Sequence, residues 1–412
     1  MNKNKLLENS MALITLQAMN YLAPFIVLPY LTRTVGLEGF GIISYALSFC
    51  TLILIFTDYG FGIAGPDFIA RNKSSVTLIS QYLSSALCVK MIILAMFGFI
   101  FCLAYFFSSD FFIDKGFSDS IVLSMGLVVI SQAFSFNWFF QGIEKFKLIT
   151  LFSFLSKMIY LTLVLLFVKR IEDIWLVLVS LAIGNFVAII ISYKLIKKEG
   201  YYLKAASMKE ALTILKLNFG YFFSRVSVSA YSTFNALILG SLSSIANVAI
   251  YSSAEKIYQV CQNLTYAVSQ AFYPYLARTR NTNLLHKYVC ISSIILVFSV
   301  IFVFLFNILD YVVLFLFGPD FHEAVDILKI FVVSALVNFL SVNYGYPLFS
   351  SINKTRLVNY TVYFASFIQI IMLSVLFYID AITPVNLVSC VLISEVIVLI
   401  SRVVLYNMVK ND

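Results

Sequence analysis

Apolar runs of 20 to 30 residues, broken by short clusters of charge, glycine or proline, follow one another along the whole chain. Taking the breaks as loops places spans at 10–31, 40–62, 78–107, 118–140, 148–168, 174–193, 212–240, 246–272, 288–309, 327–349, 357–379 and 384–406. A helix rises 1.5 Å per residue and the hydrocarbon layer is about 30 Å thick, so about 20 apolar residues cross it. The pattern predicts an all-α integral membrane protein of about 12 transmembrane helices. Spans 212–240 and 246–272 are long and rich in Ser, Asn and Gln. The longest connection, about 194–211, is basic and too short to hold a soluble domain. Gln17, Asn20, Pro24 and Pro29 interrupt the first apolar stretch and no A-x-A site follows it, so it reads as a span rather than a cleaved leader.

Composition narrows the class. Of 412 residues, 61% are hydrophobic and 12% charged, with a mean hydropathy of +0.95; a soluble domain carries about 25% charged residues. So little charge cannot coat a soluble 46.6 kDa protein, and the apolar surface must face lipid. The net charge of +8 invites a nucleic-acid partner. The basic residues instead sit in short clusters between apolar runs, as membrane topology requires. With the N-terminus cytoplasmic, 17 Lys and Arg fall on the cytoplasmic side, against 4 opposite, Arg33, Lys115, Lys169 and Arg170. Both termini are then cytoplasmic and the span number is even. Cys50, Cys88, Cys102, Cys261, Cys290 and Cys390 lie within apolar runs without C-x-x-C spacing and read as small buried hydrophobes. His286 and His322 are far apart in sequence, and neither a metal nor a cofactor is expected.

The chain also repeats itself. Phe68-Ile69-Ala70-Arg71 parallels Tyr275-Leu276-Ala277-Arg278 at an offset of 207. Gly41-Ile42-Ile43-Ser44-Tyr45-Ala46 parallels Ala249-Ile250-Tyr251-Ser252-Ser253-Ala254 at 208, and Ile143-Glu144-Lys145-Phe146-Lys147-Leu148 parallels Ile352-Asn353-Lys354-Thr355-Arg356-Leu357 at 209. Each match sits at the same loop of its half. Six spans per half is an even number, so both halves point the same way. The repeat predicts two pseudo-symmetric six-helix lobes, residues 1–200 and 201–412, related by an axis along the membrane normal.

Charges inside spans carry the candidate chemistry. Asp58, Lys90, Lys157, Lys216, Arg225, Glu255, Lys256, Lys329, Glu395 and Arg402 remain once loop charges are set aside. A mid-bilayer charge costs at least about 2.5–3.5 kcal/mol on insertion scales, so it faces a partner or a water-filled cavity. Lys216, Lys329 and Arg402 lie near span ends and can reach the interface. Helical spacing groups Asn218, Arg225, Ser229 and Ser232 on one face, and Glu255, Gln259, Gln262 and Ser269 on another. Further stripes are Ser44, Ser48, Thr51 and Asp58; Gln17, Asn20 and Pro24; and Ser334, Asn338, Ser341 and Gly345. Such stripes either line an aqueous cavity or pack helices together through small polar groups. Deep basic residues outnumber deep acids four to three, which favours an anionic ligand such as a phosphate or pyrophosphate. The substrate-binding candidates are Arg225, Lys256, Lys90, Lys157, Asn218 and Gln259; the coupling candidates are Asp58, Glu255 and Glu395. Pro24, Pro29 and Pro347 each remove a backbone donor and can kink a helix.

Several motifs resemble O-antigen flippases of the Wzx type, within the multidrug/oligosaccharidyl-lipid/polysaccharide exporter superfamily. They are Pro29-Tyr30-Leu31-Thr32-Arg33-Thr34-Val35-Gly36 with Glu38 and Phe40-Gly41; Asp58-Tyr59-Gly60-Phe61; Phe140-Gln141-Gly142-Ile143-Glu144; Ala254-Glu255-Lys256; and Gly318-Pro319-Asp320-Phe321 with Ala324. The resemblance runs the length of the chain, and it rests on the order and spacing of short motifs. It implies two six-helix bundles in a V, as in MATE transporters, and a non-enzymatic flippase of the bacterial inner membrane. The implied substrate is an undecaprenyl-pyrophosphate-linked oligosaccharide, carried from the cytoplasmic to the periplasmic leaflet. Membrane lipid, a glycan polymerase and a chain-length regulator are the implied partners. In that superfamily the first, second, seventh and eighth helices line the cavity, which implies a place beside the substrate for Asp58, Arg225, Glu255 and Lys256.

Three rival readings stay open on sequence. A cation-coupled drug antiporter of the same fold calls for an acidic cavity. A membrane glycan polymerase calls for a large outer loop. A flippase for lipid-linked peptidoglycan precursors shares the fold and differs in substrate.

Overall fold

The computed structural model describes residues 3–232, 234–280, 282–352 and 354–409, with the side chains of 3–24, 224, 227, 228, 230–232, 267, 268 and 270–279 left out of account. Two compact units are formed, Met1–Val226 and Ser227–Asp412. The first holds α1 (Lys3–Asp58), α2 (Phe61–Arg71), α3 (Val76–Phe107), α4 (Ser109–Asp114), α5 (Asp119–Ala133), α6 (Asn137–Gly142), α7 (Phe146–Phe167), α8 (Ile174–Lys198) and most of α9 (Met208–Ser232). The second holds α10 (Phe234–Leu242), α11 (Ile245–Thr279), α12 (Asn283–Leu305), α13 (Ile308–Phe317), α14 (Ala324–Asn343), α15 (Tyr346–Ser350), α16 (Leu357–Tyr378) and α17 (Pro384–Val409). No strand occurs among the described residues.

Among those residues, nine helical stretches are long and apolar enough to cross a membrane. Their outer faces are apolar, with Phe106, Phe107, Leu123, Leu305 and Phe315 among the exposed side chains, as lipid contact demands. The first two predicted spans merge into α1, which breaks at Gly36 (φ 68°, ψ −172°), within the predicted loop. That φ lies in the left-handed region, where glycine alone pays no Cβ penalty.

Local signals set the helix ends. The Ser75 hydroxyl accepts Leu78 N–H at 3.3 Å to start α3, and the Ser118 hydroxyl accepts Ile121 N–H at 3.4 Å to start α5. Lys197 and Lys198 close α8, where cations suit the negative end of the helix dipole. The first unit reaches Val226 because α9 opens against α3: Asn218 donates to the Tyr82 hydroxyl at 3.2 Å, and the Gln81 amide bonds Glu210. The Ser207 N–H, the Gln81 amide and the Lys204 charge hold the Glu210 carboxyl below its usual range.

The order of elements recurs. Long, short, long, short, long, long describes both α3–α8 and α12–α17. The short helices α6 and α15 begin at Asn137 and Tyr346, at the offset of the sequence repeat. Each unit keeps its own aromatic core, Phe61, Tyr82, Trp138, Phe139, Phe140 and Phe152 in the first and Phe339, Phe349 and Tyr406 in the second.

Candidate functional site

In the first unit the Asp58-Tyr59-Gly60-Phe61 motif is a chain reversal. Tyr59 (φ 42°) and Gly60 (φ 78°) are consecutive left-handed residues between α1 and α2. The Asp58 carboxylate accepts Gly62 N–H at 3.4 Å, a negative charge on the positive end of α2. Tyr59 stacks on Phe222 of α9 at 4.5 Å between centroids. Lys90, from α3, points into the same region. It is 3% exposed, donates to the Ala133 carbonyl at 2.7 Å and lies 5.8 Å from the Phe61 ring centre. That carbonyl is freed where α5 ends and the chain breaks before α6, so the lysine satisfies an orphan acceptor. Asp58 acts on Lys90 electrostatically. The structure thus brings Asp58 and Lys90 into one region; Asn218 is buried against Tyr82.

Lys157 lies elsewhere in this unit. It lines a cavity of about 270 Å³ between α5, α7 and α8. The other walls are mostly polar: hydroxyls of Ser131, Ser135, Ser153, Ser156 and Ser192, and amides of Gln132, Asn137 and Asn185. Two of these bonds tie the helices together. Ser156 donates to Asn185 Oδ1 at 3.0 Å, and Asn185 reaches Ser131 Oγ at 3.5 Å. Ser153 one turn before Lys157 on α7, and Asn185 and Ser192 two turns apart on α8, are the sequence features that mark this cavity.

The second unit has a buried polar centre. Glu395, 2% exposed on α17, accepts from Tyr258 at 3.3 Å, Asn338 at 3.0 Å and Ser341 at 3.3 Å. Arg402 lies two helical turns along α17 and is 7% exposed. It donates to the Ser341 carbonyl and to Thr361 Oγ1 at 3.3 Å, and acts on Glu395 electrostatically. Arg402, expected to reach the interface, is therefore an interior residue. Its neighbours explain the difference: the Ser334, Asn338 and Ser341 stripe turns inward, and the Ser341 carbonyl together with Thr361 Oγ1 of α16 accepts from the guanidinium. A second chain of bonds runs from Ser394 to Gln369 (2.8 Å), Gln369 to Asn235 (3.5 Å) and Asn235 to Tyr251 (2.9 Å). Asn235 and Gln369 escaped the sequence reading, although single amides within apolar runs mark them.

The remaining candidates differ in exposure. Arg225 on α9 is exposed, whereas Glu255, Lys256 and Gln259 on α11 are half-buried. Lys216 is exposed and Lys329 pairs with Asp326 at 2.8 Å, as end-of-span residues should. The predicted stripe of Gln17, Asn20 and Pro24, together with Ser232, lies outside the described side chains.

Comparison with known proteins places this architecture. A family described as polysaccharide biosynthesis protein matches residues 6–280. A protein of Escherichia coli (strain K12) named "Putative O-antigen transporter" is 28% identical over 353 residues, 84% of this chain and 83% of that protein. One of the same name from Shigella dysenteriae is 28% identical over 272 residues, 66% of this chain and 67% of the relative. Among solved structures, the lipid II flippase MurJ in an inward closed conformation matches with a TM-score of 0.73 at 15% identity, over 97% of this chain and 87% of that one. The eukaryotic MATE transporter AtDTX14 matches with a TM-score of 0.62 at 13% identity, over 98% of this chain and 95% of that one. The structural likenesses establish a shared fold, and the family match covers well over half of the sequence. The chain is a membrane-spanning, all-helical member of the polysaccharide biosynthesis protein family.

Proposed function

We propose that this protein is a flippase for a lipid-linked polysaccharide repeat unit, a transporter rather than an enzyme. The finer reading is an undecaprenyl-pyrophosphate-linked O-antigen unit, moved from the cytoplasmic to the periplasmic leaflet of the bacterial inner membrane by alternating access. Both termini then lie in the cytoplasm, and a glycan polymerase and chain-length regulator act downstream. The observation that carries the proposal is the 28% identity over 84% of the chain to a protein named as an O-antigen transporter. The physical problem fits: a polar glycan and two phosphates cannot cross about 30 Å of hydrocarbon unaided.

Arg225 and Lys256 are each proposed as a contact to the pyrophosphate, with Gln259 one turn from Lys256 on α11, while Asn218 is taken up by its bond to Tyr82. Arg225, seven residues before Ser232 at the end of α9, is exposed. A guanidinium within the proposed span 212–240 needs water or an anionic ligand. Glu255 is the proposed coupling carboxylate. Asp58 already caps α2 and Glu395 already accepts three hydrogen bonds.

The test is complementation of a strain lacking its own O-antigen transporter, with a matched repeat unit and surface polysaccharide as readout. The wild-type chain restores the polysaccharide. Arg225→Ala and Lys256→Ala, each removing a charge-assisted bond, lower the transport rate by about tenfold or more at equal protein level, and Glu255→Gln lowers it as well. Wild-type polysaccharide with Arg225→Ala removes that residue from the site. Drug resistance in place of complementation establishes the antiporter reading.

A further inference from the structure

We infer that the groove between α3, α8 and the break joining α5 to α6 seats an anionic phospholipid of the surrounding bilayer, with one hydrocarbon chain along the wall and the phosphate at Lys194 and Lys197. The inference goes beyond the flippase reading and does not rest on it, because it needs only a membrane-spanning chain. Three observations carry it.

The first is the wall. Leu87 and Met91 of α3, Ile189 and Ile190 of α8, and Phe134 and Phe136 at the break line a space of about 590 Å³. Both α3 and α8 are long and apolar enough to cross a membrane. Met91 and Ile190 are each 54% exposed, and exposed apolar side chains on a span face hydrocarbon. The space equals roughly twenty volumes of about 30 Å³, the share of one water in the liquid, which suffices for an acyl chain. The second is charge. The polar side chains lining the groove, Tyr193, Lys194 and Lys197, all fall in the last turns of α8. Lys197 lies 4.7 Å from the Tyr193 ring centre, which steadies the ammonium at the polar end of the groove. Among the described residues no carboxylate pairs with either lysine, and the adjacent acid, Glu199, is engaged by Lys145. An anionic head group supplies the counter-charge. The third is register. From Ile189 to Lys197 the helix rises about 12 Å at 1.5 Å per residue, close to the depth of one leaflet, about half of 30 Å. Chain contacts followed by phosphate contacts is the order in which a lipid of one leaflet runs. A neutral lipid would leave both ammoniums without a counter-charge, and a soluble phosphate would leave the apolar wall uncovered.

Native mass spectrometry of the purified full-length protein tests this, with phosphatidylglycerol and phosphatidylcholine of the same chains supplied at equal concentration. Phosphatidylglycerol is retained in preference. A basic residue near an anionic surface changes partition about fivefold, so Lys194→Gln with Lys197→Gln lowers phosphatidylglycerol retention by about tenfold or more and leaves phosphatidylcholine unchanged. Lys198→Gln with Lys204→Gln removes the same charge from neighbours off the groove wall, and changes retention by less than about twofold. Chain occupancy is read in nanodiscs by the fluorescence of Met91→Trp, over the wild-type background. Brominated chains quench it more strongly on phosphatidylglycerol than on phosphatidylcholine, and the difference disappears when Lys194→Gln and Lys197→Gln are added. Equal retention or equal quenching by the two lipids, equal losses in the two double variants, or displacement of phosphatidylglycerol by equimolar polyprenyl pyrophosphate overturns the inference.

Discussion

Replacing Arg402 with methionine lowers the unfolding free energy by about 3–5 kcal/mol, the range for breaking a buried ionic pair by removing one partner. The expected size follows from how the second unit holds its charges. Glu395 and Arg402 are both nine-tenths or more buried and share Ser341. Its carbonyl accepts from the guanidinium and its hydroxyl donates to the carboxylate at 3.3 Å. Without the guanidinium, the Ser341 carbonyl loses its donor and the buried Glu395 loses the opposite charge that acts on it. Arg402→Met combined with Glu395→Gln recovers most of the loss, because no uncompensated charge remains. Unfolding in detergent, followed for the two single variants and the double, measures the coupling. A single variant within 1 kcal/mol of wild type, or a double no better than Arg402→Met, shows that the two charges are independent.

Gly60→Ala is the second large effect, and it acts on shape rather than charge. At φ 78° a Cβ costs roughly 1–2 kcal/mol. It would also stand 2.8 Å from Tyr221 Cβ and 2.9 Å from the Phe222 backbone nitrogen, an overlap costing typically about 1–3 kcal/mol more. Because α2 must draw back from α9, the Tyr59–Phe222 stack separates too. The variant should unfold several degrees below wild type in detergent and complement poorly even at matched expression. An unchanged Tm contradicts the tight seating of this turn.

Some of this was legible in the sequence because period and length report directly on helices in lipid. The runs at 78–107, 148–168 and 357–379 end within a few residues of α3, α7 and α16, since the same apolar length that crosses the bilayer also ends at the polar loop. The Gly36 break was legible because the apolar run stops there. The division of span 118–140 into α5 and α6 was not. Ser135 and Phe136 interrupt the helix without any Gly or Pro, and the interruption is supported from a distance by Lys90 on the Ala133 carbonyl. Likewise Lys90 and Arg402 read as charges in or near spans, but each donates to a backbone carbonyl, and carbonyls leave no trace in residue identity. The inward turn of the Ser334–Ser341 stripe depends on which helix lies opposite. Spacing alone cannot separate a face toward water from a face toward Glu395.

The most direct measurement of the central claim uses purified protein in liposomes containing a lipid-pyrophosphate-linked oligosaccharide and an impermeant probe of the sugar on one leaflet. The account predicts protein-dependent transfer between leaflets, slowed about tenfold or more by Arg225→Ala, with the oligosaccharide unchanged in length. Leaflet distribution that stays the same with and without active, folded protein, or a glycan lengthened by it, contradicts the account.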